Sequence, residues 1–281
     1  MTKIGFRAPD GISLAAHAVG PEEGAPVLLL GGIGQTRHSW RRTAERIAAS
    51  GRRAILLDLR GHGESGWSAD GGYTLPRLAA DITAVIAALG RPAVLVGASL
   101  GGKVCLAAAG HEGPAVASAL VMIDTVPRTN VAGASEVVSA IRPPPAGFNS
   151  PDDAAAELAR ARGQPLRTGA GEAMRRNMRV DVAGRWHWHW DPALLDRDQG
   201  MRVEDALPYL EGAAARLRVP TLVARGALSK VTDDAGVAAF RALVPHARVE
   251  TVANAGHMLV GDQNDAFAAV LVRFLDDAVQ P

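Results

Sequence analysis

The stretch AVLVGASLGGKVCLAAAG, residues 93–110, decides the fold. Aliphatic and β-branched residues run into Gly97-Ala98-Ser99-Leu100-Gly101, and an alanine-rich helical run follows at once. A strand that becomes a helix over so few residues makes a sharp, strained bend, and small neighbours let the backbone fold back without clashes. A serine at the apex is held above the sheet edge. The amide of Leu100, at the helix N-terminus, points to the same space, where it can stabilise negative charge developing on an oxygen. The plainer alternative is a helix-capping serine in a glycine-rich turn. The strand-turn-helix setting favours a nucleophile.

On either side of this bend, buried strands alternate with helices. Residues 3–8 and 12–19 read as strands joined at Asp10-Gly11, Val27–Leu30 as a strand covered on both faces, and Arg53–Asp58 as another. Thr36–Ser50 reads as helix, and Leu75, Leu78, Ile82, Val85, Ile86 and Leu89 recur at helical spacing up to Gly90. A strand over 119–124 comes next. After the interruption described below, strands over 219–225 and 247–252 enclose a helix over 233–243, and a last helix carries Phe267, Val270, Leu271, Phe274 and Leu275. This order predicts an α/β architecture: a mostly parallel central sheet of about eight strands with helices on both faces.

The alternation breaks over residues 128–215, where proline and glycine clusters and short helices replace strands. Ser150-Pro151-Asp152-Asp153 is a well-formed helix start, with a capping hydroxyl, an early proline and acids at the positive dipole end. The expected organisation is therefore a core made of 1–127 and 216–281, with a helical cap inserted over 128–215.

Composition narrows the function classes. The chain has 281 residues, 48% of them hydrophobic, a net charge of +1 and one cysteine, Cys105. Near-neutral charge argues against nucleic acid or an anionic membrane as partner. A single cysteine excludes an internal disulfide framework, and the N-terminus lacks the apolar segment of a signal peptide. With no uninterrupted apolar run of about 18 residues, a soluble, cytoplasmic protein acting on a small molecule is expected; no oligomeric state is implied.

With these stretches the chain resembles the α/β-hydrolase superfamily over essentially its whole length. LLLGGIGQTRHSW (28–40) resembles the loop that supplies the family's second oxyanion amide, which by position belongs to Ile33 beside that of Leu100. DLRGHGES (58–65) matches the loop after the family's fourth strand, and ANAGHMLVGD (253–262) the segment that brings in the catalytic histidine, His257. The resemblance implies a capped serine hydrolase of the esterase or lactonase type, with Ser99 as nucleophile, His257 as base and no metal or organic cofactor. Many members carry histidine before glycine in the oxyanion loop. Gly31-Gly32 stands here instead, a loss expected to alter loop rigidity more than chemistry.

His257 also fits on its own terms. A serine hydroxyl needs a base within hydrogen-bond reach, and His257 follows a strand in a small-residue loop just before the last helix. The third member is less direct. The family usually takes its acid from the loop after the strand that follows the insertion, but that loop reads RGALSKVTDD, with Ser229 and Lys230 at the expected place. A lysine would oppose imidazolium formation. Asp124, at the end of strand 119–124, is the favoured replacement. Asp233 and Asp234 are the alternatives, though helix-start acids explain them, and a site without a working acid is the third possibility.

His62 reads as a loop residue and His38 as a solvated helix-start residue. In RWHWHW (185–190), His187 and His189 would share one face of an extended segment, as a metal pair could, but no third ligand is apparent. Trp186, Trp188 and Trp190 read as an apolar plug or pocket wall, and with Met258 they are the candidate substrate-binding residues. Seven arginines between 160 and 185 face two acids, which fits a solvated basic face better than an anion site. Cleavage of a small to medium, largely apolar ester or lactone is the leading expectation. Carbon–carbon bond hydrolysis, cofactor-free perhydrolysis of the haloperoxidase type, and ligand binding with weakened catalysis are the alternatives. Epoxide hydrolysis and dehalogenation fit less well, since related enzymes use aspartate as nucleophile.

Overall fold

The computed structural model describes residues 1–142, 144, 146–161, 163, 165–175, 177–195, 203–257 and 265–278, with backbone alone at 203–205 and 265–266. The first half contains β1 (Thr2–Arg7), β2 (Ser13–Val19), β3 (Pro26–Leu30), α1 (Arg41–Ala49), β4 (Arg53–Leu57), α2 (Leu75–Leu89), β5 (Ala93–Ala98), α3 (Leu100–Glu112) and β6 (Ala117–Ile123). Next come α4 (Val131–Ile141), α5 (Pro151–Ala161), α6 (Ala170–Arg175), β7 (Met178–Val180) and β8 (Trp186–Trp188). The chain closes with α7 (Val203–Arg216), β9 (Thr221–Gly226), α8 (Asp234–Leu243), β10 (Arg248–Val252) and α9 (Asp265–Ala278).

One eight-stranded sheet runs in the order β1-β2-β4-β3-β5-β6-β9-β10. β2 pairs antiparallel with β1 and β4, and every other pairing is parallel. The central strands are apolar throughout because both faces are covered. Val27, Leu29, Val94 and Val96 point into a layer with Trp40 and Ile47, the latter on α1, and with Phe267 and Leu271 of α9. Leu28, Leu30 and Leu95 point the other way, to Ile82 of α2, Val104 of α3, Leu210 of α7 and Phe240 of α8. Helix α2 ends where expected, at Gly90, whose φ of +73° suits a residue without Cβ. Ser150 caps α5, its Oγ accepting the Asp153 amide hydrogen at 3.1 Å.

Two features depart from the sequence expectation for residues 128–215. The segment is not purely helical: β7 and β8 form an antiparallel hairpin, with Arg179 opposite His187. Its last helix, α7, belongs to the main core rather than to an insertion. Leu210, Ala213 and Ala214 are buried in the central layer, and a Cβ on Gly110 of α3 would strike the Ala213 backbone. Small residues at that crossing bring the two helices close, and this tertiary contact places α7.

Candidate active site

Parallel strands deliver their C-terminal ends to one edge of the sheet, and the site is assembled there. At the end of β5 the chain turns directly into α3 through Ser99, whose φ is +48°. A non-glycine residue held in this region costs of order 1–3 kcal/mol and persists only when its surroundings over-determine it. Here the amide of Ser99 donates to the Ile123 carbonyl at 2.9 Å. Gly101 is needed beside it, because a Cβ there would lie 2.6 Å from the carbonyl oxygens of Leu30 and Gly31. α3 starts at Leu100, so the Leu100 N–H is among the first-turn donors with no acceptor inside the helix.

Strand β6 ends at Ile123, and the next residue, Asp124, is also at φ +48°; its amide donates to the Ala224 carbonyl of β9 at 2.8 Å. The loops after β9 and β10 are joined by the bonds Ala227 N–H to Val252 O and Leu228 N–H to Ala255 O, both 2.9 Å. This joining brings His257 over the sheet edge. Its Nδ1 lies 2.6 Å from Asp124 Oδ2 and its Nε2 lies 3.2 Å from Ser99 Oγ. The carboxylate fixes the tautomer: Nδ1–H donates to Asp124, leaving Nε2 to accept from the serine hydroxyl. The Asp124 side chain is 1% exposed and that of His257 12%.

The other acids and the lysine point elsewhere. Asp233 caps α8, accepting the Gly236 amide hydrogen at 2.8 Å, and Asp234 pairs with Arg225. Lys230 turns outward to Glu136 on α4, 2.9 Å away, with both side chains mostly exposed.

A pocket opens beside the serine, lined by Gly32, Ile33, Gln35, Ala98, Ser99, Val137 and His257 and holding about 320 Å³ of space that is partly open to solvent. Apart from the imidazole, its described lining is uncharged. The loop 31–35 is shaped by Gln35, whose Oε1 accepts the Gly32 amide hydrogen at 2.7 Å. A Cβ on Gly31 would come within 3.0 Å of Gln35 Cβ, so a glycine at 31 and a glutamine at 35 belong together. Further along, buried Arg37 ties the same loop to residues 58–65. Asp58 accepts the Arg37 amide hydrogen at 2.6 Å and pairs with its guanidinium, which also reaches Glu64 at 2.9 Å.

A profile of the alpha/beta hydrolase fold matches residues 25–263. The chain belongs to the alpha/beta hydrolase family. This hydrolase is 29% identical over 263 residues to N-formylmaleamate deformylase of Pseudomonas putida, a match covering 90% of each chain. It is 28% identical to an sn-1-specific diacylglycerol lipase of Mus musculus, over 82% of this chain and 73% of the lipase. The solved structure of E-2-(acetamidomethylene)succinate hydrolase matches it with a TM-score of 0.79 and 25% identity, over 98% of this chain and 99% of that one.

The hydrolase places its three RWHWHW tryptophans away from the pocket. Trp188 and Trp190 are buried and Trp186 half-buried in an apolar cluster with Tyr73, Phe148 and Leu194. The cluster touches the site indirectly, through Ile33 and through Trp190 against Gly34. Met258 lies outside the described residues. His187 bonds Asp181 across its own hairpin at 2.8 Å. His189 instead accepts the Gly63 amide hydrogen on Nδ1 at 2.7 Å and meets the Gly34 carbonyl from Nε2 at 3.2 Å. Burial holds His189 below the ordinary histidine range, and it drives neighbouring His62 down to about 3. His38 is exposed.

Three residues of the site region were not singled out for these roles from sequence. Val137 lies one turn after Gly133 and one before Ile141 on α4. A side chain at Gly133 would meet the Lys230 backbone, and Ile141 lies against Gly34, so this face of α4 crosses the pocket mouth. The i, i+4 spacing was legible, but its partner was not. Gln35 and Ser229 carry no local signal.

Proposed function

We propose that this hydrolase cleaves small to medium, largely apolar carboxylic esters or lactones through a covalent acyl-serine. The observation that carries the reading is the continuous hydrogen-bonded line from Asp124 through His257 to Ser99. His257 Nε2 takes the proton as Ser99 Oγ bonds to the substrate carbonyl carbon, and Asp124 stabilises the imidazolium. The amides of Ile33 and Leu100 receive the oxyanion. Collapse breaks the bond to the leaving oxygen, which takes the proton from His257. A water molecule, deprotonated by the same imidazole, then attacks the acyl carbon and releases the acid and Ser99. The reading requires no metal or organic cofactor.

The uncharged lining of the pocket, the imidazole apart, supports a neutral substrate. In this reading the described residues between Pro127 and Leu195 serve as a cap over the sheet edge, with Val137 their contribution to the pocket and the tryptophan cluster holding them down. A cytoplasmic location agrees with the single, buried Cys105, and among the described residues no helix is long and apolar enough to cross a membrane. The outward turn of Lys230 to Glu136 favours catalysis over ligand binding with lost chemistry, because its ammonium does not oppose the imidazolium.

A panel of p-nitrophenyl esters and lactones, read with wild type and Ser99→Ala, tests the proposal. Wild-type turnover of short apolar esters and a loss of about 10³-fold or more in Ser99→Ala are expected. An unchanged rate in Ser99→Ala, or no labelling of Ser99 by a fluorophosphonate, overturns it.

A further inference from the structure

The loop after β9 carries Ser229 at the place where the family pattern has an acid, and its hydroxyl is fully committed. A serine hydroxyl offers one donor and two acceptor positions. Ser229 Oγ accepts the amide hydrogens of Val231 at 3.1 Å and Thr232 at 3.3 Å. The remaining hydrogen is thereby aimed at Asp124 Oδ2, 2.5 Å away, the same oxygen that faces His257 Nδ1.

On the reading that Asp124 is the acid of the triad, we propose that Ser229 is its positioning residue. The carboxylate is shut off from water and needs protein donors in its place. Gly226 N–H supplies one on Oδ1 at 3.1 Å, and Ser229 supplies the other. Two anchors on opposite oxygens fix the carboxylate plane, and the plane sets the direction from which Nδ1–H is accepted. With only Gly226 left, the group swings about a single hinge and the imidazole loses its alignment to Ser99. The hydroxyl also relays two backbone dipoles into the carboxylate without adding charge. A second carboxylate at 229 could not do so, because two acids this close do not both ionise. A neutral donor at 229 is therefore the counterpart of an acid at 124.

The test is a double-mutant cycle on purified full-length protein, reading kcat and KM with a short p-nitrophenyl ester and folding by thermal melting. Ser229→Ala is expected to lower kcat about 10- to 100-fold, since a bond to a charged group is removed, with KM held within about twofold. Ser229→Thr, which keeps the hydroxyl, restores most of the loss. In an Asp124→Asn background, Ser229→Ala has no further effect. If alanine unsettles the loop, Ser229→Cys keeps the shape with only a weak donor and carries the same expectation. Wild-type kcat in Ser229→Ala or Ser229→Cys alongside a crippled Asp124→Asn overturns the role of Ser229 alone. So does a full Ser229→Ala loss added on top of Asp124→Asn. Wild-type kcat in Asp124→Asn overturns the triad reading itself, and this proposal with it.

Discussion

His189 joins the residues after β8 to both loops of the site, taking the Gly63 amide hydrogen on one ring nitrogen and reaching the Gly34 carbonyl with the other. His189→Phe keeps a flat, slightly larger aromatic ring and removes the side-chain partner of both backbone groups. Losing these bonds costs about 1–3 kcal/mol. The denaturant midpoint is expected to fall, and labelling of Ser99 by a fluorophosphonate to slow, because loop 31–35 loses an anchor. An unchanged midpoint contradicts the prediction.

That joint requires an uncharged ring, and so does the interior around His62. Both have folded pKa values below the ordinary 6.5, burial being the main cause, with His62 at about 3. The unfolded chain therefore binds these protons first as pH falls. For His62 this stability is present above about pH 6.5 and is lost between 6.5 and about 3, at up to about 1.4 kcal/mol per pH unit, and His189 adds a loss of the same sign as pH falls below 6.5. Urea titrations at stepped pH measure the slope, and His62→Asn is expected to lower it by close to one proton. A midpoint that rises on acidification would reverse the sign and refute the assignment.

Arg37 and Asp58 have side chains 2% and 0% exposed. Removing one partner of a buried pair strands the other charge, at a cost of about 3–5 kcal/mol. Arg37→Met should therefore destabilise far more than removal of the exposed Lys230–Glu136 pair by Lys230→Ala, for which less than about 1 kcal/mol is expected. Equal effects would mean that the ties between loops 31–40 and 58–65 carry no weight.

Val137 lines the pocket together with Ser99 and His257. Val137→Ala is expected to shift kcat/KM toward longer acyl chains, and Val137→Phe toward acetate, by about tenfold in each direction. The readout is the ratio of p-nitrophenyl acetate to p-nitrophenyl octanoate turnover. A ratio indifferent to the size of residue 137 would show that the acyl group lies elsewhere.

Much of this architecture was legible in the linear chain because the signals were local. Val94 and Val96, glycines around Ser99, and a helix stopped by Gly90 each declare their own conformation. What escaped was pairing at a distance. RWHWHW alternates with a strand's period, yet its partner Met178–Val180 is only three residues long with Arg179 at its centre, so the hairpin arises from assembly rather than propensity. The contact of α7 with α3 rests on Gly110 and Ala213, small residues that leave no mark in a hydrophobicity pattern. For the acid, the sequence favours Asp124 but leaves Asp233, Asp234 or no working acid open. The choice depends on the bond between Leu228 and Ala255, which carries His257 to the end of β6.

The whole excursion from residue 124 to residue 221 begins and ends on adjacent strands, since β6 and β9 pair directly in parallel register. A parallel neighbour can be reached by a single helical crossover, and α7 already supplies one. The sheet order alone therefore does not require the described residues between Pro127 and α7. The site loops do use them, since any replacement there would have to restore the hold of His189 on Gly34 and Gly63.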